Sequence, residues 1–211
     1  MKTIVFCAGA PSPYLEILKN INIDLLIGVD AGATRLFNAG FTPDIAIGDF
    51  DSQEPPTQCR HIIRLPCEKD DTDLEYALQH ILHDKQPENI KKIILLGATN
   101  GGRIDHLLAN IWLAHQARFS PFLSKFHIVE RNNSIRFFQA GNHQLQQETD
   151  KKYLSFIGLT PIKALTLQHV KYPLNQQDYH YPMALISNEF SDSQMSFSFT
   201  DGLMCVIQSA D

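Results

Sequence analysis

The sequence lacks any apolar run long enough to cross a membrane, which takes about 20 residues, so no membrane partner is expected. Its four cysteines, Cys7, Cys59, Cys67 and Cys205, form no Cys-x-x-Cys pair and show no metal-ligand spacing. They read as reduced thiols of a cytoplasmic protein. Basic residues are short: 18 Lys and Arg stand against 23 Asp and Glu, a net charge of −5. That balance disfavours non-specific binding to nucleic acid. There is no Walker A loop and no G-x-G-x-x-G fingerprint. The opening "MKTIVFCAGA" has a lysine and an apolar stretch, as a leader would, but the stretch is too short and Pro11 and Pro13 follow at once. It reads as a buried strand. Internal repeats and low-complexity segments are also missing.

What is present is a chain of 211 residues, 44% hydrophobic, enough to bury a substantial core. Short apolar runs at 3–8, 25–30, 44–49, 61–65 and 92–97 end in Gly, Asp or Pro and alternate with helical patterns. In 72–84, Leu74, Ala77, Leu78, Ile81 and Leu82 keep one helix face. Thr72-Asp73-Leu74-Glu75 has the form of a capping box, which predicts a helix start near Thr72. In 103–117, Ile104, Leu107, Leu108 and Ile111 repeat the pattern. Apolar strands between helices predict a parallel sheet covered on both faces. After about residue 125 the helical period fades into short β-rich runs, and Asp201-Gly202 between two of them signals a hairpin. The expected organisation is an α/β domain at 1–124 and an all-β domain at 125–211.

Four segments could carry chemistry. In "IAIGDFDSQE", Asp49 and Asp51 follow a predicted strand end, where open α/β sheets bind ligands. If the segment stays extended, the two carboxylates lie about 6–7 Å apart on one side, and their repulsion of about 3 kcal/mol at an effective dielectric near 20 is reversed by a divalent cation. Carboxylates with substrate phosphates suit Mg²⁺; the plainer alternative is a solvated turn. In "EKDDTDLE", acids beside a helix start favour its dipole, which accounts for Asp73 and Glu75. Lys69 among Asp70, Asp71 and Asp73 also suits a phosphate and metal environment. In "LLGATNGGRIDH", Gly97, Gly101 and Gly102 would let backbone N–H groups approach an anion, with Arg103 and Asp105 adjoining; an ordinary strand-to-helix turn is the alternative. Asp105-His106 also raises an HD-type hydrolase, with His80 and His83 as further ligands. In "LIGVDAGATRL", Asp30 ends a strand, and the small residues after it serve close packing at least. A parallel sheet brings all four segments to one edge. Acids, backbone amides and bases there are what phosphoryl-type transfer needs.

Asp30-Ala31-Gly32-Ala33, Pro43-Asp44, Gly48-Asp49-Phe50-Asp51-Ser52, Lys69-Asp70-Asp71-Thr72-Asp73 and Gly101-Gly102-Arg103-Ile104-Asp105-His106, with "KYPL" at 171–174 and "SNEF" at 187–190, together resemble the ordered motifs of the thiamine pyrophosphokinase family. The resemblance implies an N-terminal parallel-sheet α/β (Rossmann-like) domain, a C-terminal all-β sandwich-like domain and a homodimer. It implies transfer of the pyrophosphoryl group of ATP to thiamine, with Mg²⁺, giving AMP and thiamine diphosphate. Asp49, Asp51, Asp73 and Asp105 would then form the metal centre and, with Arg103, the catalytic group. Lys69, Thr72, Gly101, Gly102, Arg103 and His106 would bind phosphate. Asp30 would sit at the substrate end of the cleft, and Ser187 and Asn188 would lie near thiamine. Asp51 or Asp73 would accept the proton of the attacking alcohol, or a metal would lower its pKa. The rival readings are pyrophosphoryl transfer to another alcohol, such as a hydroxymethyl pterin, and a non-catalytic thiamine or nucleotide sensor.

Overall fold

The computed structural model describes residues 1–211 except Ser52, Asn100 and Gly101. The fold is mixed α/β, with parallel and antiparallel strands, and the chain divides into two compact units, Met1–Glu130 and Arg131–Asp211.

In the first unit, the strands are β1 (Lys2–Cys7), β2 (Leu25–Val29), β3 (Ile45–Gly48), β4 (His61–Arg64), β5 (Ile90–Leu96) and β6 (Phe126–Val129). They pair in parallel in the order β6-β5-β1-β2-β3-β4. Ile4, Val5, Phe6 and Cys7 are all 0% exposed, as expected of a strand covered on both faces. From β1 the chain builds outward to β4, then returns to the other side of β1 with β5. The loops after β1 and β5 therefore diverge, and such a switch point opens a crevice beyond the carboxyl ends of the strands. The helices are α1 (Ala31–Asn38), α2 (Asp73–Leu82) and α3 (Ile104–Trp112), with 3₁₀ segments at Leu113–His115 and Ala117–Lys125. The α2 capping box is formed: Glu75 N donates to Thr72 Oγ1, and Thr72 N donates to the Glu75 carboxylate.

In two places this unit departs from the sequence reading. The boundary lies at 130/131 rather than 124/125, because Phe126–Val129 pairs in parallel with β5 and completes the first sheet. The apolar stripe of α3 is largely uncovered within the chain, with Ile104 71% and Leu108 50% exposed while Asn110 is buried.

The second unit holds β7 (Asn133–Gln146), β8 (Tyr153–Gly158), β9 (Ile162–Gln168), β10 (Leu174–Tyr179), β11 (Met183–Glu189) and β12 (Gln194–Ser209), all antiparallel where they pair. The long β12 runs beside β7, but its first half also pairs with β9 and its second half with β8. The ladder thus forks. Asp201-Gly202 is where it forks, not a hairpin: the strand continues through it, with Gly202 at φ 117° and no room for a Cβ, which would lie 2.4 Å from Pro161 O. Met195, Phe197 and Phe199 point into a core with Leu154, Phe156 and Leu165 while Ser196 and Ser198 alternate outward. Burial of each such large side chain contributes about 1.5–3 kcal/mol.

Candidate active site

Asp30 ends β2 and Asp49 follows β3, the neighbouring strand. Asp30 N donates to Ile47 O at 2.8 Å. Its backbone sits at φ 47°, ψ −126°, a region that L-residues seldom occupy. The segment after β3 does not stay extended as the alternation of Asp49 and Asp51 suggested. Phe50 turns to φ 53° and buries its ring among Ala33, Ala46 and Cys59, so the two acids are presented by a turn. Asp51 N lies 3.5 Å from Asp49 Oδ1 across it. The result is a convergence of three carboxylates: oxygens of Asp30, Asp49 and Asp51 lie within 4.8 Å of one another. At that separation each like pair repels by about 3 kcal/mol at an effective dielectric near 20. Asp30 Oδ1 is buried with no hydrogen-bond partner among the described residues. An orphaned buried oxygen among hard oxygen donors fits a divalent cation such as Mg²⁺.

Lys69 ties this group to the start of α2. Its Nζ donates to Asp49 Oδ2 at 3.0 Å and to Pro66 O at 3.1 Å, and lies 3.1 Å from Asp73 Oδ1. The two carboxylates that share it respond in opposite directions. The Lys69 hydrogen bond holds Asp49 below the usual carboxylate range. Burial lifts Asp73 by more than Lys69 lowers it. Burial also pulls the Lys69 ammonium down, but Asp49 and Asp73 outweigh it, so Lys69 is raised and charged.

Across the crevice, Arg103 is the N-cap of α3. Arg103 Nη2 donates to Asp105 Oδ2 at 2.5 Å and Nε to Oδ1 at 3.2 Å, and His106 N caps Oδ1 at 3.0 Å. Arg103 brings the Asp105 carboxyl down to about 2. Among the described residues the converging carboxylates are those of Asp30, Asp49 and Asp51. Asp73 joins them through Lys69, and Asp105 is turned to its own arginine. A cavity of about 280 Å³ at the switch point is lined by Gly9, Asp30, Asp73, Gly97, Arg103 and His106, among others including Thr72. Gly102 lies at φ 72° just before α3, while Gly101 falls outside the described residues. The backbone amides of Thr99, Ala98 and Gly97 already serve an internal anion, the Glu130 carboxylate, which burial raises by more than they lower it. A larger cleft of about 410 Å³ on the second unit is lined by groups such as Asn142, Gln144, Thr166 and Ser196. Its lining brings no carboxylate or fixed cation, so of these two the smaller, charged cavity is the better suited to phosphoryl chemistry.

In the second unit, Asn188 is buried and its amide is committed to backbone. Oδ1 accepts from Tyr172 N at 3.0 Å and Glu189 N at 2.9 Å, and Nδ2 donates to Tyr172 O at 3.0 Å. Ser187 is exposed, at φ 60°, where the β11–β8 register shifts. Asn188 therefore staples the Lys171–Pro173 turn, and Ser187 is the one of the two left facing outward.

Sequence reasoning missed Glu130, Asn110 and Arg118. Asn110 Nδ2 donates to Ala98 O at 2.5 Å. Arg118 reaches Asp71 from 47 residues away. No local spacing marks such partners; a polar residue in an apolar helical stretch was the one available signal, at Asn110.

Residues 18–123 match the family described as thiamin pyrophosphokinase, catalytic domain, and residues 142–204 the one described as thiamin pyrophosphokinase, vitamin B1 binding domain. The chain is 36% identical over 223 residues to the thiamine pyrophosphokinase of Bacillus subtilis (strain 168), covering 100% of both. Its structure is similar to that of a thiamin pyrophosphokinase family protein from Enterococcus faecalis, with TM-score 0.90, 38% identity and 99% of each chain covered. It is also similar to the crystal structure of the Bacillus subtilis thiamine pyrophosphokinase, with TM-score 0.86, 34% identity and 100% of each chain covered.

Proposed function

The chain belongs to the thiamin pyrophosphokinase family, and on that premise we propose that this enzyme transfers the pyrophosphoryl group of ATP to the hydroxyl of thiamine at the acid centre of its first unit. The observation that carries the assignment of the site is the convergence of Asp30, Asp49 and Asp51, with Lys69 linking Asp49 to Asp73. The alcohol oxygen bonds to the β-phosphorus, the bond from that phosphorus to the α-phosphate bridging oxygen breaks, and AMP leaves with the electron pair. The alcohol proton passes to a carboxylate, Asp73 or Asp51. Asp73 suits the task better, because burial raises its affinity for a proton and Asp51 belongs to the converging acids.

Asp30, Asp49 and Asp51 would hold Mg²⁺, which supplies Lewis-acid stabilisation of the phosphates when bound. Asp105 is left out of that set because Arg103 neutralises it. Lys69, Arg103 and His106 offset phosphate charge and orient the triphosphate, with Thr72 and Gly102 bordering it. Positioning and electrostatics are the protein's main contribution to such a reaction.

The first unit reads as a Rossmann-like catalytic domain and the second as a β-sandwich that supports thiamine binding, through Ser187, and a homodimer. Asn188 acts there by holding the Tyr172 turn. Four free cysteines suit a reducing cytoplasm. The test is incubation with ATP, Mg²⁺ and either thiamine or a hydroxymethyl pterin. AMP is expected with thiamine alone. AMP release with the pterin, or none with either, overturns the reading.

A further inference from the structure

We propose that Arg118 is a positioning residue for the acidic loop 69–73, acting by keeping Asp71 away from Lys69. The inference rests on the site assignment above and goes beyond it. Loop 69–72 is irregular, yet it must hold Lys69 against Asp49 and Asp73. It carries Asp70, Asp71 and Asp73 within four positions, so Lys69 has competing carboxylates close by. One of these is taken out of the competition. Arg118 meets Asp71 fork to fork, Nη1 on Oδ2 and Nη2 on Oδ1, both at 2.7 Å, with the two side chains 31% and 29% exposed. Planar bidentate pairing of this kind fixes direction as well as charge.

Arg118 is itself held from several sides. Nη1 also donates to Gln79 of α2, and Nε donates to Gln116 Oε1 at 2.7 Å. Its guanidinium stands 4.9 Å from the ring centre of Phe119, which is 1% exposed. Gln116 donates in turn to Glu75 Oε1, and the other oxygen of Glu75 accepts Thr72 N at 2.8 Å in the capping box. One connected set of side chains therefore grips the loop at Asp71 and at Thr72, on the two residues just before Asp73. Without the guanidinium, Asp71 becomes an unpaired, partly buried carboxylate two residues from Lys69 and from Asp73. It then competes for Lys69 and adds repulsion to the carboxylates around it.

The consequence separates this role from a merely structural one. Arg118→Gln is expected to lower kcat/KM for ATP by about 10- to 100-fold, the usual scale for residues that orient a site from behind, and to weaken binding of Mg²⁺-ATP. Asp71→Asn in the same chain removes the stray charge, so the double variant is expected to recover most of the lost affinity although the pair is still broken. Arg118→Lys keeps the charge without the fork and is expected to fall between. Calorimetric binding of Mg²⁺-ATP is measured beside turnover, and thermal unfolding is followed for each variant. If wild type binds Mg²⁺-ATP but does not use thiamine, the functional reading fails while the binding series still tests Arg118. Unchanged affinity and turnover in Arg118→Gln overturns the proposal. So does a double variant no better than Arg118→Gln, or a loss that follows the unfolded fraction alone.

Discussion

Gly48 and Asp30 approach so closely across β3 and β2 that a Cβ on Gly48 would lie 2.9 Å from the Asp30 Cα and 3.1 Å from its Cβ. The glycine of the G-D-F-D segment thus lets the strained Asp30 come up beside Asp49 and Asp51. Gly48→Ala pushes one of the two strand ends away. It is expected to cost about 1–3 kcal/mol of stability, the usual range for overpacking, and to lower turnover well beyond that at a temperature where the variant is folded. Denaturant unfolding and a turnover assay at that temperature check both.

Asp30 and Asp105 are separable by their response to added Mg²⁺. Asp30→Asn removes one of three converging carboxylates and is expected to raise the Mg²⁺ concentration for half-maximal activity by at least 10-fold. Asp105→Asn leaves that concentration near its wild-type value, because Asp105 pairs with Arg103. Activity titrated with Mg²⁺ decides between them, and a larger shift for Asp105→Asn would return Asp105 to the metal set.

Asp51→Asn and Asp73→Asn are both expected to keep the fold and to cut kcat strongly. Asp73→Asn removes the proposed proton acceptor and loosens Lys69, so its loss is expected to persist at saturating Mg²⁺. Near wild-type turnover of both variants in saturating Mg²⁺ would sink the assignment of the centre.

Asn188 and Ser187 are neighbours with different work. Asn188→Ala leaves the part-buried Tyr172 N–H and C=O without their Asn188 partner, at a cost of about 1 kcal/mol, the usual net worth of a hydrogen bond whose groups water can still reach. Ser187→Gly removes a positive-φ strain on the order of 1 kcal/mol and is expected to hold or raise the melting temperature while raising KM for thiamine. Thermal unfolding and steady-state kinetics distinguish the two.

Alkaline stability is set in part by two thiols. Burial pushes Cys7 and Cys205 up to about 12 from 9.0. Above pH 9 the unfolded chain releases these protons and the folded chain keeps them. Stability contributed by each neutral thiol is therefore complete below pH 9 and falls as pH rises toward 12, by about 1.4 kcal/mol per pH unit per thiol. Cys205→Ala is expected to flatten the decline of unfolding free energy between pH 9 and 11 by that amount. Cys67, exposed, is expected to react with an alkylating reagent at pH 8 while Cys7 and Cys205 do not.

Elements governed by near neighbours in the chain could be read from it. The five strands expected in the first unit and the capped start of α2 lie within a few residues of where periodicity and Thr72-x-x-Glu75 placed them. Phe50 packs beneath the acids, at 5% exposure, through a left-handed turn that the alternation of Asp49 and Asp51 did not reveal. Asp201-Gly202 carries a hairpin signal, yet β12 runs straight through, because a residue pair cannot tell whether two flanking runs pair with each other or with β8 and β9.

The sequence by itself determined the inventory: which residues are acids and bases, which stretches are strands, and that the acids cluster at strand ends. Only tertiary structure decided their company. Asp30 joins Asp49 and Asp51 because β2 and β3 are parallel neighbours whose carboxyl ends coincide. Asp105 is turned instead to Arg103, two residues away, which pairs with it. Arg118 meets Asp71 across 47 residues. Periodicity and capping are local, whereas a site at a sheet edge is made by strand order, which contacts between distant segments select.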